Sequence, residues 1–301
     1  MPKVLVAGHA VQDLIYRFDS FPVRGLKTRA RDFVAVGGGM AANAAVAIAR
    51  LGGEVDLIAP LGDDGIGDMI LSDLKRDGVN VDRCPRNPGF QSPMNAAIVD
   101  ETGERTILSW RKPQTVLPNI PDPDGAVKGY DAFQADDRHP TLVVPLLLAA
   151  RKAGIPAVID ADRSEGETGP VIHAASHIVI SRAGLAGTSG QPDPAEGLKV
   201  LAARFPDAFI SVTLGGDGLL WVEKGEVKSM PAFKVDVVDT LGAGDIFHGA
   251  FTLALAEKQP VVEALRFAAA VSALKCTKFG GRGAIPQRDE VDAFLRENPA
   301  A

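Results

Sequence analysis

Cysteine is scarce in this sequence. Only Cys84 and Cys276 occur in 301 residues, far apart and outside any CxxC pattern, which argues against a disulfide framework or a thiolate metal site. The five histidines, His9, His139, His173, His177 and His248, show no metal-ligand spacing. No apolar run approaches the roughly 20 residues that a membrane helix needs. There is no excess of positive charge: the formal net charge is −6, so no basic patch offers itself to nucleic acid or an anionic membrane. A small-molecule substrate fits better, and an anionic one is not excluded, because local Lys and Arg can outweigh the global charge. Several nucleotide and hydrolase motifs are missing as well: no GxxxxGK[ST] loop, no GxGxxG after a strand and no HExxH. Aromatic residues are few (6%), whereas glycine is abundant, with 32 residues. That balance suits an α/β protein with tight turns and small-residue helix packing.

What is present alternates between strand and helix signals. Residues 4–7 are a short apolar run closed by Gly8, the pattern of a buried parallel strand. Residues 39–51 are Ala-rich and stopped by Gly52-Gly53, a helix; 55–61 read as another buried strand and 66–76 as a helix. Further strands are expected at 156–160, 177–181 and 208–213, helices at 141–153, 194–204, 243–257 and 261–276, and a hairpin at 219–222 and 226–230 turning at Lys224-Gly225. Repeated strand–helix units argue for a doubly wound, mostly parallel sheet flanked by helices. Two stretches break the alternation, at about 14–36 and 94–112, where polar and apolar residues mix in short strand-like runs. If they pair, they form a small β-sheet lid over the C-terminal edge of the main sheet, where such folds bind ligands. No linker or repeat divides the chain, so residues 1–301 read as one domain. The start runs from Met1 straight into the first strand with no leader pattern, and a cytoplasmic location is expected.

Three glycine-rich segments carry the chemistry. Asp239-Thr240-Leu241-Gly242-Ala243-Gly244-Asp245 opens a helix. Unpaired N–H groups at a helix start make an anion site. An acid directly after such a site would repel a phosphate, but makes sense as a base that takes a proton from an attacking hydroxyl. An ordinary helix start, with Asp245 favoured by the dipole, explains the segment about as well. Gly37-Gly38-Gly39-Met40-Ala41-Ala42-Asn43 permits close approach of a ligand, with Asn43 able to bond sugar hydroxyls; tight helix packing is the plainer account. Thr213-Leu214-Gly215-Gly216-Asp217-Gly218 follows a buried strand and can cradle a nucleotide or be a simple turn. Asp13 either faces the crevice and binds sugar hydroxyls or caps a turn.

In combination and order, Gly38-Gly39-x-x-x-Asn43 and Asp239-Thr240-x-Gly242-Ala243-Gly244-Asp245 resemble the two signatures of the ribokinase, or PfkB, family of carbohydrate kinases, and the likeness covers essentially the whole chain. The resemblance implies an α/β kinase domain with a β lid that uses ATP and a divalent cation, usually Mg²⁺. It implies Asp245 as catalytic base and the N–H groups of Gly242, Ala243 and Gly244 as the stabilisers of charge on the transferred phosphoryl group. It places Asp13, Gly39 and Asn43 on the sugar, Thr213, Gly215 and Gly218 along the nucleotide, and the segment from Lys275 to Gly281, Gly280 included, near the adenine. Within the family the chain looks most like the ketohexokinase and sulfofructose kinase group, on residues including Phe233-Lys234-Val235-Asp236, Ala273-Leu274-Lys275-Cys276-Thr277 and Gly280-Gly281-Arg282. In that group Lys27 and Arg138 stand where basic residues meet an anionic head, Ser109 stands where an Asn is expected, and Arg111 is a further basic candidate. The N-x-x-E stretch that helps hold the metal in many relatives is replaced here by Ser181-Arg182-Ala183-Gly184, so no metal ligand is named.

The expectation is therefore a kinase that phosphorylates a hydroxyl of a ketose or related, possibly anionic, sugar such as fructose or sulfofructose. Its rivals are a catalytically silent sugar- or nucleotide-binding relative with a regulatory role, and a nucleoside kinase. Open edges on the lid strands predict a homodimer through the lid.

Overall fold

The computed structural model describes residues 1–101, 105–110, 119–162 and 169–299. The chain opens with β1 (Lys3–Ala7), then β2 (Val11–Arg17) and β3 (Asp32–Gly38) lead into α1 (Met40–Arg50). β4 (Glu54–Ile58), the short β5 (Leu61–Gly62), α2 (Gly65–Arg76) and β6 (Arg86–Asn87) follow. β7 (Met94–Val99) and β8 (Arg105–Trp110) form a hairpin. After α3 (Pro123–Ala126) come β9 (Ala132–Asp136), α4 (Pro140–Lys152), β10 (Ala157–Ala161), α5 (Gly169–Ala174) and β11 (His177–Ser181). The chain continues through α6 (Arg182–Ser189), α7 (Pro194–Arg204), β12 (Phe209–Thr213) and the hairpin of β13 (Leu219–Glu223) and β14 (Glu226–Met230). Last are α8 (Ala243–Ala256), α9 (Val261–Cys276) and α10 (Arg288–Glu297).

Eight strands make the main sheet, in the order β14-β13-β12-β11-β10-β9-β1-β4. The pairings from β4 to β12 are parallel, and only the β12–β13–β14 end is antiparallel. The parallel strands are buried on both faces, which is why they read as apolar runs. Successive residues of β1 show it: Val4 and Val6 join a core with α1, α2, α8 and α9, while Leu5 and Ala7 join a second core with α4, α5 and α7. At the other end Lys224 (φ 51°) and Gly225 (φ 82°) make the left-handed two-residue turn that a tight hairpin requires.

β9 was not singled out from the sequence, yet it lies at the centre, between β1 and β10. Gln134 and Asp136, both buried, interrupt its apolar run. The chain reverses its direction of strand addition between β1 and β9, so a crevice opens at the C-terminal ends of these two strands. Asp136 sits there and holds the crevice together. Its carboxylate accepts the N–H groups of His9 (2.7 Å), Ala41 (3.1 Å) and Arg138 (3.0 Å), tying the ends of β1 and β9 to the starts of α1 and α4.

The two irregular stretches do pair. They form a four-stranded sheet in the order β3-β2-β7-β8. β2 runs parallel to β7, and the two flanking pairs are antiparallel. Asp13 caps no turn but lies inside β2, opposite Val36 on one side and Asn95 on the other, with Ser109 opposite Asn95. One transverse row of this small sheet thus reads Val36, Asp13, Asn95, Ser109.

α1 and α8 cross in close contact because both are small-residue helices. A Cβ at Gly249 would lie 2.4 Å from the carbonyl oxygen of Ala44, so only glycine permits this approach. Gly249 is one turn beyond Asp245, and Ala44 follows Asn43, so this contact sets the distance between the two polar residues.

Candidate active site

Two cavities meet at the N-terminus of α8. The first holds about 300 Å³ and lies between the small sheet and the C-terminal edge of the main sheet; Asp13, Gly39, Asn43, Asn95, Ser109, Arg138, Gly242, Asp245 and Arg282 are on its wall. The second holds about 260 Å³ and is mostly apolar, with Thr213, Gly215, Gly218, Ala243, Gly244, Phe247, Ala273 and Cys276 on its wall. Asp245 and Gly242 face the polar cavity, and Ala243 and Gly244 face the apolar one. The helix start is the partition between them.

The segment folds into a partition for local reasons. Gly242 caps α8 in the left-handed region (φ 73°), which turns the chain sharply into the helix. The Asp239 carboxylate accepts the Leu241 N–H (2.9 Å) and the Gly280 N–H (3.2 Å), pinning the approach to the turn. Burial opposes charge on Asp239, but these N–H groups and the Lys275 ammonium outweigh it and hold its carboxyl below the usual range. The N–H of Ala243 is taken by Thr240 O (3.2 Å). Among the described residues those of Gly242 and Gly244 have no hydrogen-bond partner, and they are the donors the helix start offers to an anion.

Asp245 follows directly. Its Oδ2 accepts a 2.6 Å hydrogen bond from Asn43 Nδ2. Burial pushes its carboxyl up to about 6; the Asn43 bond works against this, the negative Asp136 and Asp162 add to it, and the Arg282 guanidinium opposes it. A carboxylate with that affinity for protons, held at a cavity wall, is suited to accept one from a hydroxyl near neutral pH. Asp160, buried behind it at the end of β10, is raised well above the usual range by burial and by the charges of Asp245 and Asp162. Asp13 is also raised, by burial, against the opposing effects of Asn95, which donates to its Oδ1 at 2.8 Å, and of Arg282.

Most of the residues singled out in the sequence are brought together here, but three are not. Lys27 is exposed in the 18–31 connection and is on neither cavity wall. Lys275 is fully buried; its ammonium donates to Asp239 O (2.8 Å) and pairs with the Asp239 carboxylate (3.2 Å), so it braces the turn before α8. Gly280 lines a third, larger space of about 790 Å³ beneath the small sheet, together with Arg17, Val34, Ala97 and Phe279. Arg111 lies outside the described residues.

Two wall residues had not been assigned to the site. Asn95 escaped because its link to Asp13 is a cross-strand pairing between residues 82 apart. In the sequence Arg282 stands out only as part of the Gly280-Gly281-Arg282 likeness, with no role in the site, and it is buried. Its Nε donates to Asn43 Oδ1 (2.8 Å) and its Nη2 to Gly38 O (2.8 Å).

Comparison with known proteins shows the family to which the chain belongs. The model of the pfkB family carbohydrate kinases matches residues 1–288. The ribokinase of Lactococcus lactis is 29% identical, with 99% of this chain and 98% of that protein covered. The ATP-dependent ribose-1-phosphate kinase of Halopiger xanaduensis is 29% identical, with 99% of each covered. A solved structure from Agrobacterium tumefaciens, described as a candidate ribokinase, superposes with a TM-score of 0.92 at 34% identity over 100% of this chain and 99% of that one.

Proposed function

The chain belongs to the pfkB family of carbohydrate kinases and is an ATP-dependent sugar kinase, and from that premise we propose that it phosphorylates a hydroxyl of a ketose or related sugar, with Asp245 as the base. The observation that carries this reading is the position of Asp245 on the partition between a polar and an apolar cavity. The sugar occupies the polar side, where Asp13, Asn95 and Ser109 from the small sheet face Asn43 and Gly39 from the main body. The nucleotide occupies the apolar side, along Thr213, Gly215 and Gly218. The whole chain acts as one kinase domain, and the small sheet is its lid.

In this mechanism Asp245 takes the proton from the sugar hydroxyl as that oxygen attacks the γ-phosphorus, and the bond from the γ-phosphorus to the β–γ bridging oxygen breaks with ADP as leaving group. Gly242 and Gly244 donate their N–H groups to the negative charge that builds on the transferred group. ATP supplies the phosphoryl group. Mg²⁺ keeps most of its waters and needs only one or two carboxylates beside the phosphates. Among the described residues no group of three or more His, Cys, Asp or Glu forms a dedicated cage. Asp162, exposed just beyond β10 and close enough for its charge to act on Asp245, fits the lighter requirement and would hold the ion, which would neutralise phosphate charge.

Arg138 supports a substrate with an anionic substituent. Its side chain lies on the polar cavity's wall, with Nε 3.9 Å from the Asp137 carboxylate. Lys27 is outside the cavity, and the other cation on its wall, Arg282, is already bonded to Asn43 and Gly38, so that recognition is assigned to Arg138. We further propose a homodimer through the lid: β3 and β8 are its edges, and Phe33, Val34, Ile107, Leu108 and Trp110 are exposed on them. Gel filtration with light scattering giving only monomer would exclude it.

The direct test is ADP release with ATP and Mg²⁺ across fructose, sulfofructose, fructose phosphates, ribose, ribose 1-phosphate and nucleosides. Turnover of a ketose, abolished in Asp245→Asn, supports the reading. Turnover confined to pentoses or nucleosides overturns the substrate assignment. Binding of sugar and ATP without turnover of any sugar makes the protein a silent relative.

A further inference from the structure

The polar cavity contains a buried arginine whose presence the fold alone does not explain. Arg282 is only 7% exposed. A buried guanidinium is expensive to desolvate, and an apolar side chain of similar volume would fill the space at lower cost. Burial pulls Arg282 down to about 10, with Asp77, Asp13, Asp73 and Asp245 acting against this, so it remains a cation at physiological pH. Space is made for it: a Cβ at Gly37 would lie 2.0 Å from Nη1. Nη1 rests against Gly37 with no hydrogen-bond partner among the described residues.

We propose that Arg282 is a positioning residue for the base: it fixes the orientation of the Asn43 amide, and through that amide selects the oxygen of Asp245 that faces the sugar hydroxyl. A guanidinium can donate but never accept. Its Nε therefore requires the carbonyl end of Asn43, and holds it at 2.8 Å. The anchor is rigid because Nη2 is itself held by Gly38 O. With the carbonyl end committed, the NH₂ end must point the other way, and it donates to Asp245 Oδ2 at 2.6 Å. A flipped amide would set two oxygens against each other at the carboxylate and two donors against each other at the guanidinium. Oδ2 is thus occupied, and Oδ1 is the atom left to accept the substrate proton. The charge of Arg282 also favours ionised Asp245 against the groups that face it from other elements: Asp136 at the end of β9, Asp160 at the end of β10 and Asp162 beyond it. His248, one turn along α8, is turned to Gly244 O at 2.7 Å and is held neutral by burial.

This inference rests on the reading of Asp245 as base, and the experiment separates the two. Full-length protein carrying ¹³C-carboxyl aspartate is titrated by NMR, the Asp245 signal being the one lost in Asp245→Asn. Turnover is measured alongside with fructose, or with ribose if fructose is inert. Arg282→Gln loses the charge and can present either end of its own amide. It should move the Asp245 titration to higher pH and lower kcat about 10- to 100-fold, with the KM for ATP unchanged. Arg282→Lys keeps a charged donor and should restore both readouts to within about threefold of the parent kcat. In a cycle with Asn43→Ala the two losses should not multiply, because one residue acts through the other. If Arg282→Gln does not fold, Gly37→Ala takes its place; it displaces the guanidinium without removing the charge and should lower kcat similarly. An unmoved titration in Arg282→Gln, multiplicative losses, or equal kcat in the Gln and Lys variants overturns the proposal while Asp245→Asn remains inactive. Asp245→Asn retaining more than about a tenth of the activity overturns the base assignment itself.

Discussion

Asp245→Asn is expected to give a protein that is inactive yet more stable than its parent. Asparagine keeps the shape of the side chain and an oxygen that can accept the Asn43 bond, so the substitution removes charge and basicity and little else. The magnitude follows from the raised pKa. Moving a carboxyl from 3.8 to about 6 corresponds to about 3 kcal/mol between its protonation states at neutral pH. Asp245 keeps an edge on the cavity, and solvent there offsets part of this, leaving roughly 2–3 kcal/mol. The sign is set by proton binding: between pH 3.8 and about 6 the native carboxyl holds its proton while the unfolded chain has released it, so native stability falls as pH rises through this window. Above it the full cost of the buried charge is present. The neutral variant escapes that cost and also relieves the buried Asp160, whose carboxyl feels the Asp245 charge.

Thermal unfolding followed by circular dichroism from pH 4 to pH 8 reads this directly. The variant should melt roughly 3–8 °C above the parent at pH 7.5, and the two should converge near pH 4. Its kcat should fall about 100- to 10,000-fold, the range for loss of a general base. A variant that melts below the parent at pH 7.5, or with a gap independent of pH, would refute the desolvation argument and make Asp245 a structural carboxylate. Stability gained and activity lost at one residue is the signature of a carboxylate kept for chemistry.

Three further outcomes follow from the same geometry. Arg138→Gln should raise the KM for an anionic sugar more than about tenfold with little change for a neutral one, whereas Lys27→Ala should leave both unaltered, as measured by initial rates. Ala243→Leu fills the apolar cavity and should raise the KM for ATP at least about tenfold without altering the KM for sugar; an unchanged ATP KM would place the nucleotide elsewhere. Gly249→Ala sets a methyl 2.4 Å from Ala44 O and should cost about 2–3 kcal/mol in a thermal melt, with a kcat reduced about tenfold because α8 shifts Asp245 away from Asn43.

How much of this was legible in the sequence depends on how local each determinant is. The helices expected at 39–51, 66–76, 141–153 and 261–276 occur at Met40–Arg50, Gly65–Arg76, Pro140–Lys152 and Val261–Cys276, because period and caps are written within a few residues of each other. The glycine-rich start of α8 was legible for the same reason. β9 was not, since its buried Gln134 and Asp136 are satisfied by partners on other elements, and in the sequence they look like a break. Asn95 depends on the register of β2 with β7, which no single stretch encodes. The basic residues were hardest, because Lys and Arg in a sequence default to the surface; Lys27 follows that rule, while Lys275 and Arg282 break it as buried braces. For Arg282 a signal did exist. Of the three successive glycines, Gly39 is required by its backbone (φ 98°) and by the 2.4 Å that would separate its Cβ from His9 O. Gly37 has no positive φ to explain it, so its missing side chain must make room for something else. Beside the polar cavity such a vacancy is justified by a ligand or by a long side chain from elsewhere in the chain, and the guanidinium of Arg282 fills it.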